Sequence, residues 1–430
     1  MKAIIIGSGL GGLLSAAKLS KAGYEVDVFE RLPIIGGRFT NIQYKGFELS
    51  TGALHMIPHG PTGPLARLLE EVGANVKIIR GKPVTVIRIT RKRGDTDYKF
   101  GYKDLLFENF KTPFSILNRI KLMYYAISTR KDPPTGKSFE QWCKEHLDQD
   151  WTYRISDAFF GWSVSLRGAD VPVEEAFAII ENLYRYGGPG VPMGGCKAVT
   201  DALVDVIRAH GGNIHTSSEV TGLKTVDSKV TGIIANGFEH NANIVISNIG
   251  HPETARMLSE TTGINGLKAY LEKVSELKPS AGIKICIQSD KPLIGHGGVL
   301  LTPYAKRVNG INEVTNIDPA LSPEGKHLTM SHQCVHWSDL DNLEKEIELG
   351  LEDIKEIFPE KEYEVLMIQS YSNGWPVNRS SSGADLKGTT PLSNLYVVGD
   401  GAKGKGGIEV EGIALGVRET LHNILGKEML

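Results

Sequence analysis

The sequence predicts an α/β fold, in which a Rossmann-like dinucleotide-binding domain carries an inserted, discontinuous α+β domain. Three observations lead to this prediction. The chain opens with a short apolar strand, a glycine-rich turn and a helix that leads to a second strand. It closes with a strand, a Gly-Asp turn and a helix. Residues from about 113 to 186 have helical periodicity instead, so we expect one α/β domain assembled from separated segments.

The opening βαβ unit carries a fingerprint of dinucleotide binding. Gly7-x-Gly9-x-x-Gly12 lies directly between the first strand and the first helix. Such glycines permit a tight turn, close approach of the backbone to a pyrophosphate and close strand–helix packing. Glu30 follows Gly12 by 18 residues, at the end of the predicted strand Glu25–Phe29. A carboxylate there accepts ribose hydroxyls, so the unit predicts a dinucleotide site.

Size, charge and cysteine usage narrow the class of protein. The 430 residues suit two domains, and 41% hydrophobic with 23% charged residues is a soluble composition. A net charge of -2 provides no long-range electrostatic field that would attract nucleic acid, so we expect no nucleic-acid partner. Four cysteines without a CxxC pair predict free thiols in a reducing cytosol. His332, Cys334 and His336 alternate on one strand but lack a fourth ligand, so no metal is predicted.

The middle of the chain is expected to be partly helical and partly stranded. Ile116, Ile120, Met123 and Ile127 share one helical face, which predicts a helix in this segment. Ser138 and Gln141 predict a capping box, and the aromatic residues that follow indicate a helical core or the wall of an apolar cavity. A strand pair is predicted at 84–103. Residues 214–220 and 283–288 are also predicted strands.

A basic cluster lies near the turn of the predicted strand pair: Arg88, Arg91, Lys92 and Arg93. We interpret it as a solvated hairpin tip, and docking to an anionic membrane face is the alternative that would suit a lipid substrate. No apolar run of 18 residues or more predicts a membrane span. We therefore expect a cytoplasmic protein, with peripheral membrane contact left open.

Two further motifs complete a recognisable set. Gly36-Gly37-Arg38 follows Glu30, and LYVVGDGAKGKGGIEVEGIALG lies near the C-terminus. With these motifs the whole chain resembles the flavin-containing amine oxidase and phytoene desaturase superfamily, which also includes protoporphyrinogen oxidase. The resemblance implies a Rossmann-like FAD-binding domain (GR2-type), a substrate domain, and FAD held without a covalent bond. It assigns residues 1–75, 195–265 and 370–430 to the FAD domain, and 76–194 and 266–369 to the substrate domain.

The resemblance also implies which residues hold FAD, including weaker matches in GFELSTGALHM, SSEVTGL and VISNIG. These residues are Gly7, Ser8, Gly9, Leu10, Gly11, Gly12, Glu30, Arg31, Gly36, Gly37, Arg38, Gly52, Ala53, Leu54, Val220, Asn248, Gly399, Asp400, Gly407, Ile408 and Val410. In the family, Arg38 would lie near the pyrophosphate and Asp400 would bind the ribitol chain. The amides of residues 408–410 would face the flavin pyrimidine ring.

Two side chains are candidates for catalysis. Amine oxidases carry a lysine, in a strand similar to SAGIKICIQSDKP, that holds a water against flavin N5. Lys284 matches that position, and the alternative is a lysine that reaches solvent from a strand edge. Amine oxidases also place a tyrosine of an aromatic cage where Glu409 stands here. His55 is read as bordering the site or as an ordinary loop histidine.

The replacement of that tyrosine favours one activity within the family. We predict hydride transfer between flavin N5 and a small apolar, isoprenoid- or carotenoid-like substrate, in a carbon–carbon desaturation or saturation. Amine oxidation is the alternative. A rival of another class is an escort-type prenyl-binding protein without redox activity, and a simple NAD-dependent dehydrogenase is a weaker rival. The sequence predicts neither the electron acceptor nor the direction of the reaction.

Overall fold

Two main β-sheets, one parallel and one mostly antiparallel, organise the molecule. The computed structural model describes residues 1–91, 101–106, 116–258 and 263–426. The helices are α1 (Leu10–Lys21), α2 (Pro64–Val72), α3 (Ile116–Lys131), α4 (Phe139–His146), α5 (Asp150–Val164), α6 (Val173–Tyr186), α7 (Gly195–Ala209), α8 (His251–Arg256), α9 (Leu267–Ser275), α10 (Leu343–Ile357) and α11 (Glu409–Leu425).

The strands fall into both sheets and three smaller ones. They are β1 (Lys2–Ile6), β2 (Glu25–Phe29), β3 (Asn41–Tyr44), β4 (Phe47–Ser50), β5 (Ile78–Arg80), β6 (Thr85–Arg91), β7 (Gly101–Leu106), β8 (Gly190–Pro192), β9 (Asn213–His215), β10 (Val220–Val226), β11 (Lys229–Ala235), β12 (Phe238–Asn241), β13 (Ile244–Ser247), β14 (Ala281–Ser289), β15 (Val299–Leu301), β16 (Gly310–Glu313), β17 (His327–Val335), β18 (Glu364–Tyr371) and β19 (Leu395–Val397).

The parallel sheet has five strands in the order β19-β13-β1-β2-β9. Its members come from the beginning, the middle and the end of the chain, as the sequence predicts for a domain built from separated segments. Helix α1 is buried along almost its whole length, and it lies against α2, α7 and α11. The buried apolar residues of β1 and β2 explain why these strands are interior.

The second sheet has seven strands in the order β18-β14-β17-β16-β15-β6-β7. Strand β14 is interior, and its side chains alternate between two apolar clusters. Ile283, Ile285 and Ile287 pack on the side of α10, whereas Cys286 packs on the side of α5 and β4. Lys284 shares the face of Cys286, and the predicted alternation is confirmed.

Helix α3 forms as predicted, and the described part of its apolar face is exposed. Ile120, Met123 and Ile127 are 56–62% exposed, and Leu117 and Tyr124 are also exposed. On the opposite side of the helix, Thr129 Oγ1 accepts a hydrogen bond of 3.0 Å from Trp142 Nε1. This contact holds the helix in place. Periodicity identifies an apolar stripe, but it does not say whether another element covers that stripe.

The capping box ahead of α4 is confirmed. Gln141 N donates to Ser138 Oγ at 3.2 Å, and Ser138 N donates to Gln141 Oε1 at 2.9 Å. The aromatic residues that follow form a helical core, in which the rings of Phe139, Trp142 and Phe177 pack together. These three rings are not part of the lining of the large cavity described below.

The predicted strand at 214–220 is two strands, β9 and β10. The chain turns between them because Ser217 has a left-handed φ of 50° and Ser218 N donates to Glu30 O at 2.7 Å. The predicted pair at 84–103 is confirmed as β6 and β7, where Arg88 pairs with Asp104 at 2.8 Å. The tip with Lys92 and Arg93 lies outside the described residues.

All four cysteines are unpaired, as predicted. In the described part of the chain, no group of three or more His, Cys, Asp or Glu side chains lies together as a metal site would require. None of the described helices combines the length and the apolar content needed to cross a bilayer.

Candidate functional site

A cavity of about 550 Å³ lies at the carboxyl ends of β1, β2, β13 and β19. Open parallel sheets place ligand sites at this edge, because the connections after adjacent strands diverge there. We call one part the turn side, formed by Gly7, residues 9–11, Glu30 and residues 218–220. We call the other part the loop side, formed by residues 52–54, Tyr371, residues 373–379 and Glu409.

Most of the predicted cofactor residues line this cavity, although they are spread over the whole chain. They are Gly7, Gly9, Leu10, Gly11, Glu30, Arg31, Gly36, Gly37, Arg38, Gly52, Ala53, Leu54, Val220, Asn248, Gly399, Asp400 and Val410. Glu409 lines it as well. The structure leaves Ser8, Gly12, Gly407, Ile408 and Lys284 out of the lining and gives each of them a supporting position.

The glycine-rich turn leaves no room for side chains. A Cβ atom on Gly9 would lie 2.5 Å from Asn248 Nδ2, and one on Gly11 would lie 2.8 Å from the backbone nitrogen of Gly399. A Cβ on Gly12 would lie 2.2 Å from Gly7 O, so Gly12 packs the helix against the strand. No side chain caps the start of α1. The helix therefore presents backbone amides to the cavity, which suits a pyrophosphate.

Glu30 is buried at the end of β2 and is held by local hydrogen bonds. Its Oε2 accepts from both the backbone nitrogen and Oγ of Ser8, each at 2.8 Å. Its Oε1 accepts from Leu32 N at 2.9 Å. Ser8 therefore orients the carboxylate from behind. Each carboxylate oxygen keeps lone-pair capacity for a hydroxyl donor in the cavity.

Asp400 lies between the two sides and is held by two arginines. Its Oδ1 lies 3.0 Å from Arg379 Nη1, and Oδ2 accepts from Arg379 N at 2.9 Å and also from Arg38. Burial would raise the pKa of Asp400, but Arg38 and Arg379 hold it well below its usual range. Arg38 also donates to Val377 O at 2.6 Å. The two predicted cofactor residues Arg38 and Asp400 are thus paired with each other.

The first turn of α11 brings Glu409 and Val410 to the cavity, as the sequence predicts for this helix start. Ile408 is the N-cap residue, and its side chain is buried among α5 and α6. Gly407 packs against Gly412, where a Cβ would come within 2.2 Å of Gly412 Cα. The amides of this turn are therefore positioned by packing.

Lys284 lies directly behind the loop that follows β4. Its Nζ donates to Ser50 O at 2.6 Å, to Ser50 Oγ at 2.9 Å and to Gly52 O at 2.6 Å. The side chain is fully buried, so it does not reach solvent from a strand edge, and burial lowers its pKa. His55 is also buried, and its Nε2 accepts from Cys196 N at 3.3 Å. The catalytic role predicted for Lys284 stays a prediction.

Sequence reasoning missed the loop that follows β18. Asn373, Asn378 and Arg379 all line the cavity. Tyr371 anchors the start of this loop, because its hydroxyl donates to Thr51 O at 3.1 Å. The segment YSNGWPVNR combines turn residues, aromatic rings and a charge directly after a strand, which is typical of functional loops.

Comparison with known proteins decides the family. The family model described as flavin containing amine oxidoreductase matches residues 10–414. The chain belongs to this family. It is an FAD-dependent oxidoreductase with a mixed α/β fold. This excludes the two alternative functions, an escort-type prenyl-binding protein and a simple NAD-dependent dehydrogenase.

Relatives of this flavoprotein extend from archaea to plants. An uncharacterised protein of Methanocaldococcus jannaschii is 44% identical over 99% of both chains. A prolycopene isomerase of an Oncidium hybrid cultivar is 25% identical over 93% of this chain and 79% of its own length. A neurosporene-forming phytoene desaturase of Rhodobacter capsulatus is 26% identical over 60% of this chain and 54% of its own.

Solved structures share the fold of this flavoprotein. An oxidoreductase from Methanosarcina mazei has a TM-score of 0.95 at 56% identity, over 98% of this chain and all of that one. Putrescine oxidase with putrescine bound has a TM-score of 0.74 at 16% identity, over 99% of this chain and all of that one. At that identity the likeness is one of fold alone.

Proposed function

We propose that this flavoprotein transfers a hydride between flavin N5 and a carbon atom of an apolar, isoprenoid- or carotenoid-like substrate, in a carbon–carbon desaturation or saturation. The observation that carries the proposal is the single cavity that joins the turn side to the loop side. FAD supplies the hydride chemistry when it is bound, and the protein supplies orientation, exclusion of water and electrostatics.

The turn side fits the nucleotide half of FAD. We propose that the amides at the start of α1 hold the pyrophosphate, and that Glu30 accepts the ribose hydroxyls. Ser218 and Val220 would contact the adenine from the strand start of β10. The five-stranded sheet would then be the Rossmann-like layer of an FAD domain, with the seven-stranded sheet in the substrate domain.

The loop side fits the flavin half. We propose that Gly52–Leu54 pass beneath the ring system, held in place by Lys284 from behind. The start of α11 would stabilise negative charge on the reduced ring through its amides. No covalent attachment is proposed, since no cysteine follows Cys334 in the chain.

An apolar substrate is supported by the lining of the loop side and by two relatives. The loop side contributes Leu54, and Met56, Val410 and Ile413 also line the cavity. The names of the plant and bacterial relatives refer to carotenoids. Amine oxidation is the second candidate, because Tyr371 and Trp375 place two aromatic rings in the same lining.

A substrate panel separates the two candidates. We expect a yellow protein that releases intact FAD on heating, and whose flavin is bleached anaerobically by phytoene in detergent micelles. Putrescine and benzylamine are the matched amine probes. Bleaching by an amine and not by phytoene or prolycopene would overturn the carbon–carbon proposal. Flavin that stays on the denatured chain would contradict the non-covalent proposal.

We also propose that the exposed face of α3 contacts an anionic bilayer. Five large apolar side chains are exposed on this helix, namely Leu117, Ile120, Met123, Tyr124 and Ile127. The helix sequence contains four Lys or Arg residues and no Asp or Glu. Apolar and basic side chains together are typical of helices that lie in a membrane surface, and their charge favours anionic lipid.

Vesicle sedimentation tests this contact. We expect binding to phosphatidylglycerol vesicles and much weaker binding to phosphatidylcholine vesicles. Substituting Met123→Ser and Ile127→Ser together should abolish binding, whereas Phe238→Ser removes an exposed apolar side chain elsewhere and should not. Equal binding by all three proteins would contradict a docking role for α3.

A further inference from the structure

Two carboxyl groups in the first turn of α11 have opposite surroundings. Glu411 is fully buried, and its two oxygens accept hydrogen bonds from His59 N at 3.0 Å and Leu65 N at 2.7 Å. It joins α11 to the start of α2. Glu409 lines the cavity, and its Oε1 lies 3.4 Å from Asn378 Nδ2, which is a weak contact. Glu411 is therefore structural, whereas Glu409 presents its carboxyl to the cavity.

The backbone at Glu409 is strained. Its φ is 45°, in the left-handed region that favours glycine, and the two preceding glycines are Gly406 and Gly407. A glycine at position 409 would adopt this conformation with less strain. Strained backbone of this kind recurs at functional positions, where the surrounding structure holds it in place. Despite this strain, position 409 carries a carboxyl group in the cavity lining.

The charged and polar groups that face Glu409 come from three other segments. The pKa of Glu409 is raised to about 7, mainly because the side chain is buried; Lys403, Asn378 and Arg38 act to lower it, and Asp400 acts to raise it. None of the cations is paired directly with Glu409 among the described contacts: Arg38 binds Asp400, and Lys403 Nζ donates to three other oxygens. A carboxyl group in this environment exchanges protons near neutral pH.

We propose that Glu409 is the catalytic residue that exchanges a proton with the substrate while a hydride moves between the substrate and the flavin. This rests on the proposed function. Desaturation breaks two carbon–hydrogen bonds on adjacent carbons. One hydrogen leaves with its electron pair as hydride, so that the flavin is reduced by two electrons. The other leaves as a proton to the Glu409 carboxylate, and its electron pair becomes the new C=C bond; saturation runs the same steps in reverse.

A redox titration tests this without any substrate. The midpoint potential of the bound flavin is measured by spectroelectrochemistry from about pH 5 to about pH 9. The reduced flavin carries negative charge, which raises the pKa of a neighbouring carboxyl group. Reduction then takes up an additional proton near neutral pH, so we expect the wild-type potential to fall more steeply with pH in that range.

Three variants assign the effect to one side chain. Glu409→Gln should lose the steeper region, and Glu411→Gln should keep it, since Glu411 faces the core. Glu409→Gly relieves the backbone strain, so it should be at least as heat-stable as the wild type and should also lose the steeper region. With phytoene in detergent as the probe, flavin reduction in Glu409→Gln should slow by about 10²- to 10⁴-fold.

Several results would overturn the proposal. One is a potential curve for Glu409→Gln that superimposes on the wild-type curve, and another is a phytoene reduction rate within about threefold of the wild-type rate. Loss of the steeper region in Glu411→Gln would show that it does not arise at Glu409. If the wild-type flavin reacts with no carbon–carbon substrate but the steeper region is specific to Glu409, the substrate proposal fails and the proton-exchanging carboxyl stands.

Discussion

The two sides of the cavity are built in different ways. On the turn side, the carboxylate of Glu30 is held by Ser8, 22 positions away in the sequence. On the loop side, Lys284 holds Ser50 from 234 positions away, and Tyr371 holds Thr51 from 320 positions away. The glycine-rich turn and Glu30 of the turn side thus come from one βαβ unit. The loop side exists only after both sheets have come together.

This difference suggests that the two sides have separate roles, one in retaining FAD and the other in the reaction. A site made mostly within one unit needs few long-range contacts, and it suits the retention of a cofactor. A site made where two sheets meet is sensitive to small displacements of either sheet, and hydride transfer depends on such distances. Substitutions on the turn side should therefore change how tightly FAD is held. Substitutions on the loop side should mainly change how fast it reacts.

The largest effect is expected at Asp400, where the two sides meet. Asp400→Asn leaves the guanidinium groups of Arg38 and Arg379 without their carboxylate in a buried site. Breaking one partner of a buried ion pair typically destabilises a protein by about 3–5 kcal/mol. We expect a loss of this size in urea unfolding of the apoprotein, together with loss of bound flavin.

Glu364→Gln is the matched control for Asp400→Asn. Its carboxylate pairs with Lys45 at 3.2 Å, and both side chains are exposed, so little change is expected. If Asp400→Asn were as stable as this control and still held FAD, the two sides would not depend on Asp400.

Lys284→Met should have the next largest effect, and it should act on rate. The variant removes three hydrogen bonds to the loop at residues 50–52, so this loop is no longer fixed against β14. A displacement of about 1 Å near reacting atoms can slow a reaction by about 10²-fold. We expect a loss of this size in stopped-flow reduction of the bound flavin, with flavin content retained.

Lys291→Met, just after β14 and exposed, serves as the control for Lys284→Met. A general loss of stability would lower the melting temperature and the flavin content together. A slower reduction at unchanged flavin content is what a positioning residue produces. Wild-type reduction rates in Lys284→Met would show that Lys284 does not position the reacting groups.

Glu30→Ala should have a smaller effect, and it should act on cofactor retention. The loss of a charged acceptor for buried hydroxyls typically costs about 1–3 kcal/mol, or roughly five- to 150-fold in affinity. We expect the dissociation constant of FAD to rise by this factor, measured by flavin fluorescence. Glu219→Ala changes an exposed acidic residue of the same cavity and should stay close to wild type.

The turn side could be predicted from the sequence because its geometry is local. The positions of three glycines, one acid and two strands are fixed by the βαβ unit itself, and all of them are found where expected. The only part of this region predicted wrongly is the strand at 214–220. That segment is broken by a contact to Glu30 that the local sequence does not show.

The loop side could be predicted only in part. Glu409 and residues 52–54 were identified through resemblance, and both line the cavity. The role of Arg379 was missed because its partner Asp400 comes from a different element, and no spacing rule connects them. The exposure of the apolar face of α3 could not be predicted for the same reason, since burial is a property of the assembled molecule.

The smallest effect is expected in the pH dependence of stability. It concerns the carboxyl groups of Glu409 and of its neighbour Glu411. Burial raises the pKa of each carboxyl from 4.5 to about 7. The folded protein therefore binds a proton at each site more tightly than the unfolded chain does. The stabilisation is complete below about pH 4.5, and it is lost as the pH rises through about 7.

Buried histidines act in the opposite direction, so the wild-type curve alone does not isolate the two carboxyl groups. Burial lowers the pKa of His55 and of His332 to about 3, and their contribution to stability increases with pH up to about 6.5. The histidine contributions are the same in the wild type and in Glu409→Gln, so they cancel when the two stability curves are subtracted. We expect the unfolding free energy of the apoprotein, from urea titrations, to decline by about 1–2 kcal/mol less between pH 5 and 8 in Glu409→Gln. A decline identical to that of the wild type would mean that Glu409 is already ionised at pH 5, as an ordinary exposed carboxylate would be.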